Sequence, residues 1–452
     1  MANIILGPII GGLSHDRVKL WARADRTSTL YAWLATKADL SDTKLIGKAQ
    51  LGRSSGFAGV VAANELKPAR KYHFALTLDS KSPHKTAYHS FTTFPSPGKA
   101  ANFRFAFGSC FLPMRDEPGL AFKHILENES DLAFMLMLGD QIYADVGENN
   151  GLGHVAVNLP EYREIYRHVW SNKYLRKLLG RTPAFMVLDD HEVDNDWHWT
   201  YRGLTRPAIS GLNRLFRLLR GRPREEQFLS QPRARAALKA NWEHQAIHAP
   251  GKLSESGTLA YSFEFGRAAF FVLDTRTQRF ISRTDRQLLG DKQWSMLTNW
   301  LRRVAYEYPV KFIVSSISIL SDLIGDWTND RWSGFKKERN RLLNLLAEEG
   351  IEGVHFLTGD LHSAHSISAK LKGPDGKAIP VWEFCSSPFE QKPSRIVKIL
   401  DWPAHSPSLE DRKRHFTMSE INYGIIEVDF SQKEPRVLFR LNYEKRGQWF
   451  TR

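Results

Sequence analysis

The chain has 452 residues, which is longer than one typical domain and predicts two. Its hydrophobic content of 42% and aromatic content of 12% are enough for large cores and exclude an intrinsically disordered chain. The formal net charge of +14 favours acidic partners, such as phosphate esters, nucleic acid or an anionic membrane face.

Cysteine use and hydropathy bear on the compartment of the protein. Cys110 and Cys385 are the two cysteines, both in apolar, strand-like segments, so no disulfide framework is predicted. No run of about 18 apolar residues is present, so we expect no transmembrane helix. The start of the sequence, MANIILGPIIGG, lacks the basic region of a signal peptide. We therefore expect a cytoplasmic protein, with a trimmed export signal as the alternative.

Residues 1–97 predict an all-β domain. Short β-rich segments with alternating polarity are separated by turn residues: VKLWAR, TLYAWLAT, FAGVVAA, KYHFALTL and AYHSFTTF. Leu66, Pro68 and Tyr72 resemble the L-x-P-x-x-x-Y pattern of fibronectin type III sandwiches, in which the tyrosine hydroxyl contacts nearby backbone. The Pro- and Gly-rich segment PSPGKAANF predicts a linker, so we expect the second domain to comprise residues 102–452.

From residue 103 onward, predicted strands alternate with predicted helices. The segments PEYREIYRHVWSNKYLRKLLG, DKQWSMLTNWLRRVAYE and FKKERNRLLNLLAEEG predict helices, the first of them clearly amphipathic. The segments VKFIVSSISIL, VHFLTGD, VWEFCSS, YGIIEVDF and RVLFRLNYE predict strands. This alternation predicts an α/β fold, either a β-sandwich core with helices outside or a doubly wound sheet.

Four separated motifs are placed where buried strands should end: FGSC, GDQIY, LDDHE and TGDLH. Each follows a short apolar run, which is typical of a buried parallel strand, and side chains beyond such strand ends converge on one crevice. The residues expected to meet there are Cys110, Asp140, Tyr143, Asp190, His191, Asp360 and His362. Because gathering so many anions without cations is costly, metal ions are the simplest compensation.

The residue types in these motifs favour two different kinds of metal. Asp140 can bridge two ions, and Tyr143 can bind as a phenolate only to a strong Lewis acid, which points to Fe(III). Cys110 offers a thiolate suited to iron or zinc. Taken singly, such a motif is more often an ordinary turn, a buried thiol or a packed aromatic ring than a metal site; the shared placement of the four is what favours a metal site.

The remaining candidates include the ligands of a second site, one that suits hard cations. Asp190 and Asp360 are oxygen ligands suited to Ca, Mg or Mn. His362 lies two residues beyond Asp360, where it projects to the same side of an extended segment and suits iron or zinc. His191 is next to a ligand but on the opposite side of the chain, which suits a general acid.

The chain resembles the PhoD-type alkaline phosphatases and phosphodiesterases, within the calcineurin-like metallophosphoesterases and related to the purple acid phosphatases. The motifs that carry this resemblance are FRFAFGSC, MLGDQIYAD, EYREIYRHVW, VLDDHEVDNDW, FFVLDTRTQ, LLGDKQW, NDRWSGFKKERNRLL, FLTGDLHSAH and EFCSSPF. The resemblance implies two packed β-sheets flanked by helices, preceded by a fibronectin III-like β domain.

The resemblance also implies a phosphoric ester hydrolase that acts on phosphate monoesters or diesters, by attack of a metal-bound hydroxide at a dinuclear Fe/Ca-type centre. It implies Fe(III) on Cys110, Asp140, Tyr143 and His362. It implies one or two Ca²⁺ ions on Asp140, Asp190 and Asp360, with Mg, Mn or Zn as possible replacements.

By the same resemblance, His191 protonates the leaving group and Asn195 binds a phosphate oxygen. Arg276, Asp330 and Trp332 resemble substrate-binding features near the mouth of the site. An alternative for Arg276 is a structural pairing with Asp274. The implied partner is a phosphate ester, including lipid- or nucleic-acid-derived esters, and no protein partner is implied.

A basic segment, residues 205–230, interrupts the pattern with arginines among leucines in a helical run. It predicts either a solvated face or a lid that collects anionic substrates. The alternative to an enzyme is a non-enzymatic module that binds nucleic acid or an anionic membrane through this segment.

Overall fold

We describe the fold from a computed structural model, which covers residues 1–200, 203–205, 229–251, 253–323, 330–395, 401–404 and 406–452. Within these ranges the helices are α1 (Leu120–Asn128), α2 (Leu159–Trp170), α3 (Lys173–Leu179), α4 (Gln231–His244), α5 (Leu253–Ser256), α6 (Gly290–Val304) and α7 (Lys336–Glu348). None of these helices is long and apolar enough to cross a membrane. The basic segment 205–230 lies outside the described residues except at its two ends.

The N-terminal strands form two antiparallel sheets, ordered β1-β2-β5 and β4-β3-β6-β7. Their bounds are β1 (Ile4–Gly11), β2 (Val18–Ala24), β3 (Ser28–Ala35), β4 (Lys44–Leu51), β5 (Ala58–Ala63), β6 (Lys71–Thr77) and β7 (His89–Thr92). The hydroxyl of Tyr72 accepts a hydrogen bond from the backbone N–H of Lys67 at 2.8 Å, which confirms the tyrosine contact that the sequence motif predicts.

The rest of the chain is built on two larger sheets. The first has the order β10-β9-β8-β24-β25-β26. Its strands are β8 (Phe103–Gly108), β9 (Phe134–Met137), β10 (Ala184–Met186), β24 (Ile421–Asp429), β25 (Arg436–Lys445) and β26 (Gln448–Thr451). Strands β8, β9 and β10 pair in parallel, as their continuous apolar sequences predict.

The second sheet has the order β13-β14-β17-β19-β21-β20-β23. Its strands are β13 (Tyr261–Phe265), β14 (Ala268–Val272), β17 (Val310–Val314), β19 (Val354–Thr358), β20 (Ala364–Lys372), β21 (Ala378–Cys385) and β23 (Leu409–Met418). Strands β14, β17, β19 and β21 pair in parallel. Short strands complete the fold: β11 (His198–Thr200), β12 (Gly203–Thr205), β15 (Phe280–Ile281), β16 (Arg286–Gln287), β18 (Ser321–Leu323) and β22 (Asp401–Pro403).

The two larger sheets pack face to face through phenylalanine rings. Phe105 of the first sheet makes an edge contact with Phe312 of the second, with ring centroids 5.5 Å apart, and Phe312 stacks on Phe270 at 4.8 Å. Helix α1 contacts β24 from outside, and α6 and α7 contact β14 and β20. This is the β-sandwich core with flanking helices that the sequence predicts, and the doubly wound alternative is wrong.

The N-terminal sheets pack tightly against this core. The ring of Phe94, just beyond β7, lies 4.9 Å from that of Phe265 in β13. Trp21 of β2 donates its indole N–H to the backbone carbonyl of Glu243 in α4 at 2.9 Å. One continuous apolar cluster therefore contains residues from both predicted domains. The boundary between residues 97 and 102 stays a prediction.

Candidate metal centre

The four predicted motifs meet at one edge of the β-sandwich, directly after β8, β9, β10 and β19. Four of their residues have a left-handed backbone: Cys110 (φ 62°), Asp140 (φ 52°), Asp360 (φ 61°) and His362 (φ 48°). Such a conformation costs about 1–3 kcal/mol per residue and is concentrated at functional sites. Here the sharp turns bring side chains from neighbouring strands into one cluster.

Two close contacts hold these loops in register. The buried carboxylate of Glu192 accepts hydrogen bonds from the backbone N–H groups of Asp140, Gln141 and Asp189, at 3.1, 2.8 and 3.0 Å. Gly139 has φ 99°, and a Cβ at this position would lie 2.4 Å from Cβ of Asp189. The GD and DDHE motifs can therefore approach each other because a glycine lies between them.

Cys110, Asp140, Tyr143 and His362 come together as the first predicted ligand group. One ligand atom each from Cys110, Asp140 and His362 lie within 4.8 Å of one another. The hydroxyl of Tyr143 is 3.0 Å from Nε2 of His362 and 3.4 Å from Oδ2 of Asp140. The backbone of Lys392 hydrogen-bonds the ring of His362, which leaves Nε2 directed at this group.

The second group consists of carboxylates. Oxygen atoms of Asp140, Asp189, Asp190 and Asp360 lie within 4.8 Å of one another, as do those of Asp190, Asp196 and Asp330. Asp189 Oδ2 is buried and has no hydrogen-bond or ion-pair partner among the described residues. Asp190 Oδ1 and Asp360 Oδ2 are buried too, and their contacts are ion pairs with Arg276 at 3.3 Å and with Arg331 at 3.1 Å. An unpartnered buried carboxylate oxygen is costly, so Asp189 Oδ2 within this group of carboxylates indicates a cation-binding site.

The charges of the cluster do not balance. Six carboxylates face three guanidinium groups, those of Arg276, Arg279 and Arg331. Burial and neighbouring carboxylates raise the pKa of Asp140 and Asp189 well above their usual range, and raise that of Asp196 to about 8. Burial also raises the pKa of Asp360 to about 6, against the opposing effect of Arg331. A bound cation would relieve this repulsion.

The pKa values of the softer ligands are also shifted by burial and by neighbouring charges. Burial and the carboxylate of Asp360 raise the pKa of the Cys110 thiol to about 12, and burial and Cys110 raise that of Tyr143 well above its usual value. Both groups therefore become anionic ligands only next to a strong Lewis acid. Burial, with the positive charges of His191 and Arg331, lowers the pKa of His362 to about 3, which keeps its imidazole in the neutral, ligating form. These residues fit two adjacent metal positions that share Asp140.

His191 lies at the same cluster, as its place among the residues expected to meet there predicts. One of its ring nitrogens is within 4.8 Å of ligand oxygens of Asp140 and Asp190. Its Nδ1 is 2.8 Å from Oδ1 of Asp145, and its ring lies 4.2 Å from the ring of Tyr143. Burial by itself lowers the pKa of His191, but Asp145 and Asp190 raise it well above its usual value.

Asn195 is exposed beside this histidine. Its backbone N–H donates to Oδ2 of Asp145 at 3.0 Å, and its side-chain amide donates to Oδ2 of Asp196 at 2.8 Å. The amide is thus directed at the carboxylate cluster by Asp196. Its predicted contact with a phosphate oxygen stays a prediction.

Arg276 and Trp332 lie beneath the cluster, so their predicted place at its mouth is wrong. Both side chains are completely buried. Arg276 donates to Asp189 and to Asp330, and its Nη2 is 3.3 Å from Oδ1 of Asp190. The structural alternative for Arg276 is therefore correct, but its partners are these three carboxylates; Asp274 contacts only its backbone N–H.

Trp332 donates its indole N–H to Oγ of Ser315 at 3.2 Å, which fixes it in the interior. Asp330 accepts hydrogen bonds from both Arg276 and Arg279, so its carboxylate is already paired with two guanidinium groups. In this arrangement a substrate cannot contact Trp332 or Arg276. Their effect is to support the carboxylates that face the cavity.

Five residues of the site were missed in the sequence: Asp145, Asp189, Glu192, Asp196 and Arg331. Asp189 and Glu192 belong to the LDDHE motif, so their proximity to the site could have been predicted. Asp145, Asp196 and Arg331 have no local signal of this kind, because their roles depend on contacts between separate loops. A cavity of about 800 Å³ lies in front of the cluster, with Tyr143, His191 and His362 on its wall.

Comparisons with known proteins agree with this fold. The family profile of the PhoD-like phosphatases matches residues 105–439. Alkaline phosphatase D of Bacillus subtilis (strain 168) is 25% identical over 342 residues, which is 66% of this chain and 54% of that protein. This chain thus spans about half the length of that curated relative.

Two solved structures share the fold. The structure of PhoD covers 99% of this chain and 92% of its own, with 20% identity and a TM-score of 0.70. The purple acid phosphatase PPD1 from yellow lupin (Lupinus luteus) seeds covers 98% of this chain and 73% of its own, with 13% identity and a TM-score of 0.59. At these identities the two likenesses show a shared fold. From the profile match over most of its length, the chain belongs to the PhoD-like phosphatase family.

Proposed function

We propose that this protein is a metal-dependent phosphoesterase that hydrolyses phosphate monoesters, diesters or both. The observation that carries this proposal is the pair of ligand groups that share Asp140 at the wall of a cavity of about 800 Å³. Two adjacent metal positions are the arrangement used by many phosphate-ester hydrolases. Membership of the PhoD-like phosphatase family supports the same reaction class.

We further propose that the two positions bind different metals. Cys110, Asp140, Tyr143 and His362 combine thiolate, phenolate and imidazole donors, which favours Fe(III). Asp140, Asp190 and Asp360 offer only oxygen, which favours Ca²⁺, with Mg or Mn as replacements. Asp189 lies within the same carboxylate group and would contribute negative charge there.

When bound, the two ions would supply Lewis acidity to the phosphoryl oxygens and to an attacking water. His191 is the proton donor in this proposal: Asp145 holds its Nδ1, so Nε2 is the nitrogen that can protonate a leaving alkoxide. Against the lowering effect of burial, the carboxylates of Asp145 and Asp190 raise the pKa of His191, which favours its protonated form. The net charge of +14 would attract an anionic ester to the cavity.

The first test is elemental analysis of the purified protein, with Asp140→Asn and Asp190→Asn as variants. We expect bound metal in the unmodified protein, lower metal content in both variants, and loss of phosphate-ester hydrolysis. Asp411→Asn is the matched control, because Asp411 is an exposed carboxylate paired with Lys370. Full hydrolysis by either cluster variant would contradict the proposal, and a protein that neither contains nor takes up metal would favour the binding module.

A further inference from the structure

Arg331 differs from the other two arginines of the cluster. Its Nη1 is 3.1 Å from Oδ2 of Asp360, yet neither its Nη1 nor its Nε has a hydrogen-bond partner among the described residues. Its side chain is 12% exposed. The guanidinium is therefore held next to Asp360 by charge, with N–H donors left over and some access to solvent.

Arg276 and Arg279 offer no such access. Both have fully buried side chains. Arg276 is surrounded by the carboxylates of Asp189, Asp190 and Asp330. Arg279 donates to the carboxylate of Asp330, to its backbone carbonyl and to the carbonyl of Thr275. Among the three arginines, Arg331 is the one whose side chain keeps exposed surface, with its Nε and Nη1 atoms themselves buried.

Arg331 is connected to the wall of the cavity through Asp360. It pairs with Asp360 at 3.1 Å, and His362, two residues beyond Asp360, lines the cavity together with His191 and Tyr143. A phosphoryl group in this cavity would lie between that wall and the cluster. The planar guanidinium matches two phosphoryl oxygens at once, which a lysine ammonium does not.

Resting on the phosphoesterase activity proposed above, we propose that Arg331 binds the phosphoryl group of the substrate through its free guanidinium N–H groups. The competing role is that of a counter-ion for Asp360 alone. The two roles make different predictions, because a counter-ion affects the retention of metal by Asp360, whereas a phosphoryl ligand affects the affinity for phosphate.

The test measures the dissociation constant of inorganic phosphate by calorimetry on the metal-containing protein as purified. Arg331→Lys keeps the charge beside Asp360 but not the planar geometry, and Arg331→Gln removes both. We expect phosphate affinity to fall about 10-fold in the first and about 10- to 100-fold in the second, with unchanged metal content. KM for a phosphate ester should rise in the same order. Arg303→Gln, which removes an exposed arginine paired with Glu264, is the control for net charge.

Each outcome decides between the roles. Suppose that Arg331→Gln binds phosphate within about twofold of the unmodified protein, and that the unmodified protein hydrolyses phosphate esters. This result would overturn the role of Arg331 and leave the proposed function standing. Weaker phosphate binding that accompanies metal loss in both variants would also overturn it, in favour of the counter-ion. If Arg331→Gln fails to fold by circular dichroism, Arg331→Lys decides. No hydrolysis by the unmodified, metal-containing protein would instead overturn the proposed function itself.

Discussion

Asp145 is the residue that gives His191 its position and its charge. It accepts from the histidine at 2.8 Å and from the backbone N–H of Asn195 at 3.0 Å, so one carboxylate fixes both groups. A carboxylate behind a histidine orients the ring and favours its protonated form. Asp145 contacts the proton donor and lies outside both ligand groups, so its removal should affect proton transfer more than metal binding.

We therefore expect Asp145→Asn to lower kcat by about 10- to 100-fold for esters with a poor, alkyl leaving group, since general-acid catalysis contributes about 100-fold or more. Esters with a nitrophenol leaving group need less protonation and should lose much less. Steady-state kinetics on the two ester types, with metal content measured alongside, check this. An equal loss on both types would remove His191 from the role of proton donor.

The backbone conformation of single residues also matters at this scale. Cys110, Asp140, Asp360 and His362 all occupy the left-handed region that favours glycine. None of them is a glycine, so the strain is retained at the site where the side chains are needed. This pattern indicates that placing the ligand side chains here costs the folded protein some stability.

At the scale of elements, helix α4 and the turn after it connect the N-terminal sheets to the larger sheets. His244 stacks on Tyr166 of α2, with ring centroids 4.3 Å apart, and donates its Nδ1–H to the carbonyl of Ala240. His248 is buried against β1, where a Cβ at Gly11 would lie 2.5 Å from its Nδ1. Two histidines are thus enclosed at one contact between elements.

This contact predicts an acid-labile interface. Burial lowers the pKa of His248 to about 4, from an ordinary value of 6.5. Between these values the unfolded chain takes up a proton that the folded chain does not, so the free energy of unfolding falls as the pH decreases from 6.5 to about 4 and changes no further below. The full effect of this one group is about 3 kcal/mol.

Urea unfolding at pH 7.5 and at pH 5 measures this dependence. In His248→Gln, which keeps a side-chain N–H for the carbonyl of His244, the decrease between the two pH values should be smaller than in the unmodified protein. His415→Gln, at an exposed hydrogen bond with Ser368, should leave the decrease unchanged. Equal pH dependence in all three proteins would show that folding does not lower the pKa of His248.

At the scale of the whole molecule, the two predicted domains share one apolar core. Phe94 contacts Phe265, and Trp21 contacts both Trp170 and His244, with ring centroids 5.9 and 5.8 Å apart. Inter-domain surfaces that are large and apolar do not separate easily. We infer that the N-terminal sheets and the larger sheets unfold together.

Trp21→Ala tests this inference. Removing a fully buried indole should lower the free energy of unfolding by about 3–5 kcal/mol, and loss of activity should coincide with loss of secondary structure. Trp33→Ala is the control, because Trp33 donates to Thr77 within the four-stranded N-terminal sheet. Two separate transitions in Trp21→Ala, with hydrolysis intact after the first, would support independent domains with the predicted boundary.

The strand-end motifs show how much of the candidate site can be predicted from the sequence. Apolar runs such as FMLM, followed closely by glycine, suit parallel strands because a strand inside a parallel sheet is buried on both faces. The residue after each strand must then emerge at the same edge of the β-sandwich. For this reason the pattern of residues was enough to assign Cys110, Asp140, Asp190, Asp360 and His362 to one site.

The direction and burial of individual side chains were decided only by the tertiary structure. Arg331 and Trp332 are neighbours in sequence, yet Trp332, like Arg276, is sealed beneath the carboxylates, whereas the side chain of Arg331 is 12% exposed. The partners that determine this come from separate loops, including Asp189, Asp360 and Ser315. The sequence by itself determined which strands end at the site and which ligand types they carry, because strand periodicity is local. The tertiary structure decided which charges are paired and which remain free, because pairing depends on contacts between distant parts of the chain.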